Sequence, residues 1–544
     1  MATSSTLFLL LIVASGVAML ARRLELPYTV TLVLAGLGLG ALETQVSVVD
    51  LDAVRLTPEL LFTVFLPALL FEAAFHLSWP KFKKNIRAIL LLAVPGVVLA
   101  IAIAGGLAYV LEPLASAPLP LMVAFLFVAM CAATDPVSVV ALFKELGVPK
   151  RLAVLMEGES LLNDGVAVTA FIVLGATLGL THTGEEVTAF WAVRFLFWEI
   201  GVGIAIGVGV GLAVSYATTL VSDHLIEIML TTIAAFGSYL VADAAHASPV
   251  LAVVAAGMAT GNVGARYGLT PTNRIAVESF WEYVVFAANS LVFLLLGKEI
   301  DLASMFSHWL PILIAWGSLM AARAVVTFGV ELLLRRTAER LPARWATVLA
   351  WGGLRGSLSM VLALSLPESF ESRALLIDLT FGVVLISILV QGMTMGPVLK
   401  WAKAIGGGDA HRAYLRLRGR LVATKDALRS LDAAYSNAEI QKSTYDALKG
   451  KLGGQEAALE EALSDLESDE AARDDELLRT EERLLEVERK AIQDAQSAGV
   501  LDPTAARELL DEITTRELAL ERPLRDDDDE PPIGTPEPAG DESE

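Results

Sequence analysis

Two neighbouring apolar segments carry acidic residues where a membrane helix would lie deepest in the bilayer. In segment 119–143, Thr134 and Asp135 come directly before Pro136. Proline removes a backbone donor and frees carbonyl groups, which a bilayer tolerates only where they are buried in protein or line a wet cavity. The freed carbonyls, together with Thr134 and Asp135, therefore predict oxygen ligands for a hard cation.

Segment 151–180 places the carboxylate of Asp164 near its middle, where an unneeded charge is costly. Ser160 precedes Asp164 by one helical turn, so the two side chains share one face of a helix. Glu159 and Asn163 form a second pair with the same spacing beside it. A helix so rich in polar residues cannot face lipid, and it predicts a functional site.

A third segment, 345–366, contains an arginine among glycines. Gly352 and Gly353 precede Arg355, and Gly356 follows it. Glycine weakens a helix and lets backbones approach closely, so this segment is predicted to be interrupted, like the one that contains the proline. Paired interrupted helices at corresponding positions of two regions are typical of secondary transporters with inverted repeats and a site near the bilayer midplane.

Further charged residues lie in the apolar segments. Arg355 cannot lose its charge and needs an anionic partner, for which Glu159 is the predicted candidate. Arg323 is a second buried cation, and Glu72 adds another acid. The sequence contains no Gly-x-x-x-x-Gly-Lys-Ser/Thr loop for ATP, so an ion gradient is expected to supply the energy of transport.

Composition indicates that these segments cross a membrane. Hydrophobic residues make up 55% of the chain, and its mean hydropathy is +0.59. We expect an all-α polytopic membrane protein with about thirteen transmembrane helices, since that many apolar runs can cross a hydrocarbon core of roughly 30 Å. The predicted spans are 4–21, 27–42, 57–76, 86–111, 119–143, 151–180, 190–221, 225–242, 248–264, 275–297, 304–334, 345–366 and 375–402.

The charges divide the chain into two parts. Residues 405–544 carry about −17 of the formal net charge of −21. In the remainder, basic residues cluster in alternate loops, and the positive-inside rule places these loops and the tail in the cytoplasm and the N-terminus outside. Within the tail, residues 452–454 (Leu-Gly-Gly) are predicted to separate two helices. The predicted domains are a transmembrane domain over 1–404, a helical cytoplasmic tail over 405–524 and an acidic disordered C-terminus over 525–544.

Several separated motifs resemble, in type and order, those of the monovalent cation:proton antiporter 1 family, the NhaP-type and NHE-type sodium/proton exchangers. They are Phe71-Glu72-Ala73, Ala133-Thr134-Asp135-Pro136, Gly158 to Asp164, and Gly353-Leu354-Arg355-Gly356. The resemblance covers about residues 5–402. It implies the family's fold, in which the fifth and twelfth spans are unwound helices that cross in the transport core.

The resemblance also implies an ion-binding site. Asp164 would be the carboxylate that binds either Na⁺ or a proton. Thr134, Ser160 and Asp135 would surround the ion, with Thr134 contributing partly through its backbone carbonyl. Glu72 would lie near enough to contribute through water.

Other residues would support this site. Asn163 would orient it, and Glu159 and Arg355 would form a structural ion pair. Arg323, as a buried cation of the eleventh span, is predicted independently of the resemblance to support the site. A homodimer is implied, with spans one to three and seven to ten as its scaffold. No cofactor and no nucleic-acid partner are expected. The expected partners are the lipid bilayer, monovalent cations, protons and a regulatory ligand of the tail that the sequence does not name.

The predicted function is a secondary antiporter of the cell membrane that exchanges Na⁺ or Li⁺ for H⁺, and not an enzyme. Exchange is expected to be electroneutral, because cation and proton compete for Asp164. A second titrating acid, for which Asp135 is the candidate, would permit two protons per cation. A K⁺/H⁺ antiporter of the same fold is the alternative, since oxygen ligands do not disclose the size of a site. An intramembrane aspartyl protease using Asp135 and Asp164 is a remote alternative, because neither aspartate lies in the Gly-x-Gly-Asp setting of such enzymes. An ion channel is disfavoured by the lack of a filter-like sequence.

Overall fold

The computed structural model contains two compact units, Met1–Gly406 and Gly407–Glu544. Every regular element in the described residues is a helix, which confirms the all-α prediction for that part of the chain. The described residues are 2–24, 28–43, 57–111, 115, 118–135, 137–180, 188–221, 223–264, 271–300, 302–337, 339–404, 408–437, 440–467 and short stretches between 484 and 516.

The first half of the larger unit ends with the polar helix α8. Its helices are α1 (Ala2–Leu24), α2 (Tyr28–Glu43), α3 (58–76), α4 (Trp79–Lys84), α5 (Ile86–Leu111), α6 (Leu121–Ala132), α7 (Val137–Leu146) and α8 (Lys150–Thr177). Helices α6 and α7 occupy one predicted span, and the chain between them is not helical at residues 133–135. Proline disfavours the helical conformation in the residue before it, so Pro136 explains why the helix cannot continue through Asp135.

The second half of the larger unit contains the glycine-flanked arginine. Its helices are α9 (Ala189–Thr218), α10 (His224–Ala244), α11 (Pro249–Gly264), α12 (Pro271–Glu299), α13 (Leu302–Ser307), α14 (Trp309–Leu334), α15 (Ala343–Trp351), α16 (Ser357–Leu364) and α17 (Arg373–Trp401). Helices α15 and α16 occupy a single predicted span that is interrupted at residues 352–356. Helix α17 contains a π-helical segment, Ser387–Gly392.

Many of these helices have the length and apolar composition of membrane-spanning helices. In the described residues, seven helices are long and apolar enough to cross a membrane: α5, α8, α9, α10, α12, α14 and α17. Shorter apolar stretches lie in α1, α2, α3, α6 and α11. The chain is therefore a multi-pass helical membrane protein, and the full number of about thirteen spans stays a prediction.

The second unit contains two helices that pack on each other, α18 (Gly408–Ser436) and α19 (Lys442–Glu467). The rings of Tyr435 and Tyr445 stack with their centroids 4.2 Å apart. Asp432 accepts hydrogen bonds from the Tyr445 hydroxyl at 2.7 Å and from Lys449 Nζ at 3.3 Å. These two donors lower the pKa of the Asp432 carboxyl. Polar and aromatic side chains thus join the two helices.

The predicted helix break at residues 452–454 is wrong, because α19 continues through both glycines. The chain leaves the helical conformation earlier, after Ser436. Each glycine costs a helix only about 1 kcal/mol, which packing of α19 against α18 can offset. One such contact is the ion pair of Lys425 and Glu460, at 2.9 Å. The acidic segment 525–544 lies outside the described residues, and the predicted domain limits stay predictions.

The two interruptions of the larger unit contact each other directly. The Asp135 backbone N–H donates to the Leu354 carbonyl at 2.8 Å. Gly356 lies against Asp135 so closely that a Cβ atom at Gly356 would be 2.5 Å from the Asp135 Cβ. Gly356 has an extended backbone, with φ −121° and ψ −161°, which any residue can adopt. Glycine is therefore required here for space.

Replacing Gly356 should separate the two interruptions. We expect Gly356→Ala to destabilise the protein by about 1–3 kcal/mol, because the added methyl group overpacks the contact with Asp135. The measurement is thermal unfolding of the purified protein in detergent. Gly317→Ala is the matched control, since a Cβ there would meet nothing within 4 Å. Equal melting temperatures for the two variants would contradict the assigned role of Gly356.

Candidate ion-binding site

The interruption between α6 and α7 is tied to the middle of α8 through Thr134. The Ser160 hydroxyl donates to the Thr134 backbone carbonyl. Asn163 Nδ2 donates to Thr134 Oγ1 at 2.9 Å. All three residues are buried, so these hydrogen bonds form away from bulk solvent. The structure thus brings together three of the residues that the sequence singled out on two separate segments.

Asp164 lies beside Thr134, and one of its carboxylate oxygens has no hydrogen-bond partner among the described residues. Its carboxylate lies close to the Thr134 backbone. Its Oδ1 atom is buried without a hydrogen-bond partner, as is the neighbouring Asn163 Oδ1. A buried acceptor without a partner costs about 1–3 kcal/mol, and more if it is charged. Two such oxygens on successive residues are of the type that a hard cation accepts as ligands.

The other two predicted acidic ligands differ in position. Asp135 is only partly buried, and it is close enough for its carboxylate to repel that of Asp164 electrostatically. Glu72 lies on α3, where its Oε1 is 3.4 Å from Nδ1 of the half-exposed His76. Asp135 thus belongs to the immediate surroundings of Asp164, whereas the contact of Glu72 with His76 lies one helical turn along its own helix.

The partner predicted for Glu159 is wrong. Glu159 on α8 pairs with Arg323 on α14, not with Arg355. The pairing is bidentate: Arg323 Nη1 bonds Glu159 Oε1, and Arg323 Nη2 bonds Glu159 Oε2 at 2.8 Å. Arg323 Nε and Nη2 also donate to the Leu349 carbonyl near the end of α15, at 3.3 and 3.2 Å. A planar guanidinium can serve both acceptors at once, which explains why this arginine holds the carboxylate.

Arg355 bonds backbone carbonyls instead of a carboxylate. Its Nη1 donates to the carbonyls of Ala132 and Ala133, at 2.9 and 3.5 Å, where α6 ends. The last carbonyls of a helix have no partners inside the helix, and they carry a partial negative charge that favours a cation. Arg355 lies in the interruption between α15 and α16, and it therefore caps the free carbonyls at the end of α6.

Two polar residues that the sequence analysis did not single out hold the second interruption in place. Ser387 Oγ accepts from the Arg355 backbone N–H at 3.1 Å. Gln391 Nε2 donates to the Trp351 carbonyl at 2.7 Å, and Gln391 Oε1 accepts from Trp316 Nε1 at 3.2 Å. Both residues lie in the π-helical segment of α17. A serine and a glutamine spaced i, i+4 in an otherwise apolar run were the available signal.

Interrupted helices that meet around a buried carboxylate define a membrane transport protein of the secondary transporter class. The model of the family described as "Sodium/hydrogen exchanger, transmembrane" matches residues 8–401. The chain belongs to this family, and the resemblance to the monovalent cation:proton antiporters is confirmed.

Curated relatives agree with the family assignment. The chain is 40% identical to the Na⁺/H⁺ antiporter ApNhaP of Aphanothece halophytica, over 79% of this chain and 80% of the relative. It is also 40% identical to the low-affinity Na⁺/H⁺ antiporter NhaS1 of Synechocystis, over 75% of this chain and 76% of the relative. The Na⁺/H⁺ antiporter NhaS2 of Synechocystis is 32% identical over 95% of this chain and 93% of its own length. The similarity to NhaS2 thus includes most of the tail.

A solved structure shares the fold. The sodium proton antiporter MjNhaP1 of Methanocaldococcus jannaschii, at pH 8, matches with a TM-score of 0.60 and 21% identity. The match covers 74% of this chain and 99% of that protein. At this level of identity the comparison supports the architecture of the transmembrane unit.

Pairing of Glu159 with Arg323 can be measured by a double-mutant cycle. Glu159→Ala and Arg323→Ala should each cost about 3–5 kcal/mol, since each leaves a buried charge without its partner. The double variant should lose less than the sum of the single losses. The measurement is the free energy of unfolding in a denaturant series.

The matched control is the cycle between Glu159→Ala and Arg355→Ala, which should be closer to additive. A larger coupling energy for Glu159 with Arg355 than with Arg323 would show that the two arginines have been assigned to the wrong partners.

Proposed function

We propose that this protein is a secondary antiporter that exchanges Na⁺ or Li⁺ for H⁺, with the cation and the proton competing for Asp164. The observation that carries the proposal is the pair of buried, unpartnered oxygens of Asp164 and Asn163 beside the interrupted backbone at Thr134. The relatives ApNhaP and NhaS1 are named Na⁺/H⁺ antiporters, which supports the choice of ion.

The cation site would be built around α8. Asp164 supplies the charged ligand, and Thr134, Ser160 and Asp135 supply further oxygens next to it. Rotation of the Ser160 hydroxyl away from the Thr134 carbonyl would free both oxygens for the ion. Glu72 contributes through water from α3. In this arrangement the two interrupted helices cross within a pair of inverted repeats, in a transmembrane domain of about thirteen spans.

The charges of the site favour electroneutral exchange, one cation for one proton. Glu159 is neutralised by its bidentate pair with Arg323. Asn163 cannot titrate, so Asp164 is the carboxylate that changes state in each cycle. The carrier then has the same charge with either ion bound. Because the two ions compete, the apparent affinity for Na⁺ rises with pH across the titration of Asp164.

The sequence supports a location, an orientation and an assembly for the transport domain. The protein would lie in the cell membrane with the N-terminus outside, as the basic loops indicate. Residues 1–404 carry transport, in a homodimer whose scaffold is formed by spans one to three and seven to ten. The helical tail of residues 405–524 and the acidic end of residues 525–544 lie in the cytoplasm and regulate exchange, which contributes to pH homeostasis.

Asp164→Asn tests the competition directly. The amide keeps the size of the carboxylate but removes both its charge and its proton site, so exchange should fall to background while the protein still folds. The measurement is Na⁺-driven collapse of a pH gradient in proteoliposomes with an internal pH dye.

Asp243→Asn is the matched control, because Asp243 is exposed near the end of α10, and it should leave exchange intact. Robust exchange by purified Asp164→Asn would overturn the proposed site.

Removal of the tail tests whether the larger unit carries out exchange without the second unit. A chain that ends at residue 409 keeps every proposed ligand, so exchange should persist, with a shifted dependence on pH. The same proteoliposome assay measures it, with size-exclusion chromatography to establish that the truncated protein is intact. Loss of all exchange in a folded truncated protein would show that the tail takes part in transport itself.

A further inference from the structure

Arg355 is a buried cation, and several of its N–H donors have no acceptor among the described residues. Only 5% of its surface is exposed. Its recorded side-chain bonds all start from Nη1 and end on the carbonyls of Ala132 and Ala133. Within the described ranges of the chain, no residue accepts a hydrogen bond from its Nε or Nη2 groups. A guanidinium has five N–H donors in a fixed planar arrangement, so one edge of Arg355 is left without an acceptor.

Among the described residues, Arg355 also has no ion-pair partner. Glu159 is close enough to interact electrostatically with Arg355, but both of its carboxylate oxygens accept hydrogen bonds from Arg323. In the part of the chain that the structure describes, no carboxylate forms an ion pair with Arg355. The end of α6 offers it partial negative charge only. A buried charge that lacks a partner is costly, and arginine cannot relieve the cost by losing a proton.

A cavity lies beside this arginine. Arg355 and Arg323 line it together with apolar side chains, among them Val97, Ala100 and Val128. Its volume is about 20 Å³. Roughly 10–15 Å³ suffices for one water molecule, so a single small ligand fits. The wall provides cationic donors, and none of its residues has an acidic side chain.

We propose that this cavity binds a small monovalent anion of the halide class, such as chloride, which acts as the counter-ion of Arg355. The anion accepts hydrogen bonds from the free edge of the guanidinium and packs against the apolar wall. Its effect is to hold the arginine, and with it the contact between the two interruptions, in place.

The experiment compares thermal unfolding of the full-length protein in sodium chloride, sodium bromide and sodium gluconate at equal ionic strength. The melting temperature should rise with chloride or bromide concentration and then level off, since a ligand that binds only the folded state stabilises it by mass action. Crystals grown in bromide should show an anomalous scattering peak beside Arg355. Neither readout depends on transport, so the outcome is independent of the proposed exchange.

Two variants provide the controls. Ala100→Leu fills the cavity and should abolish the halide-dependent shift while Arg355 stays in place. Ala102→Leu adds the same atoms at an exposed position of the same helix and should keep the shift. Arg355→Gln should also abolish the shift if it folds. Equal melting temperatures in chloride and gluconate, or a shift that survives in Ala100→Leu, would overturn the proposal and leave water as the occupant of the cavity.

Discussion

The structure depends on how backbone carbonyls are satisfied where two membrane helices stop in mid-span. In hydrocarbon such groups have no water to bond with, so protein donors must reach them. Two arginines do so: Arg355 donates to Ala132 at the end of α6, and Arg323 donates to Leu349 near the end of α15. Each interruption is thus capped by a permanent positive charge, which also suits the dipole of the helix that ends there.

The candidate ion-binding site is built on this arrangement. Because α6 stops before Pro136, Thr134 presents its carbonyl and hydroxyl to α8, where Ser160 and Asn163 bond them. Arg323 uses its remaining donors on Glu159, which makes that carboxylate a fixed part of the framework. Asp164 is left with an unpaired oxygen. One helix therefore carries two acids in different surroundings: Glu159 is held in an ion pair, whereas Asp164 has an unpaired oxygen.

Local patterns in the sequence were sufficient to predict the interruptions and the polar face of α8, because proline, glycine and i, i+4 spacing act over a few residues. They could not decide which arginine meets Glu159. Arg323 and Arg355 are both buried cations, and the outcome depends on which of them also reaches a helix end across the fold. Ser387 and Gln391 were missed for a related reason, since their partners lie at residues 351–355, a segment that only the fold brings next to α17. The error at residues 452–454 arose because packing between α18 and α19 outweighs the cost of two glycines.

The central claim is that a single carboxylate, Asp164, alternates between cation and proton. The most direct measurement holds the pH gradient at zero in proteoliposomes, imposes a membrane voltage with potassium and valinomycin, and follows the flux of Na⁺. With one exchanging carboxylate, no net charge crosses the membrane in a cycle, so Na⁺ flux should not respond to the voltage. Voltage-driven uptake of Na⁺ would contradict the account, and it would indicate that Asp135 titrates as a second acid.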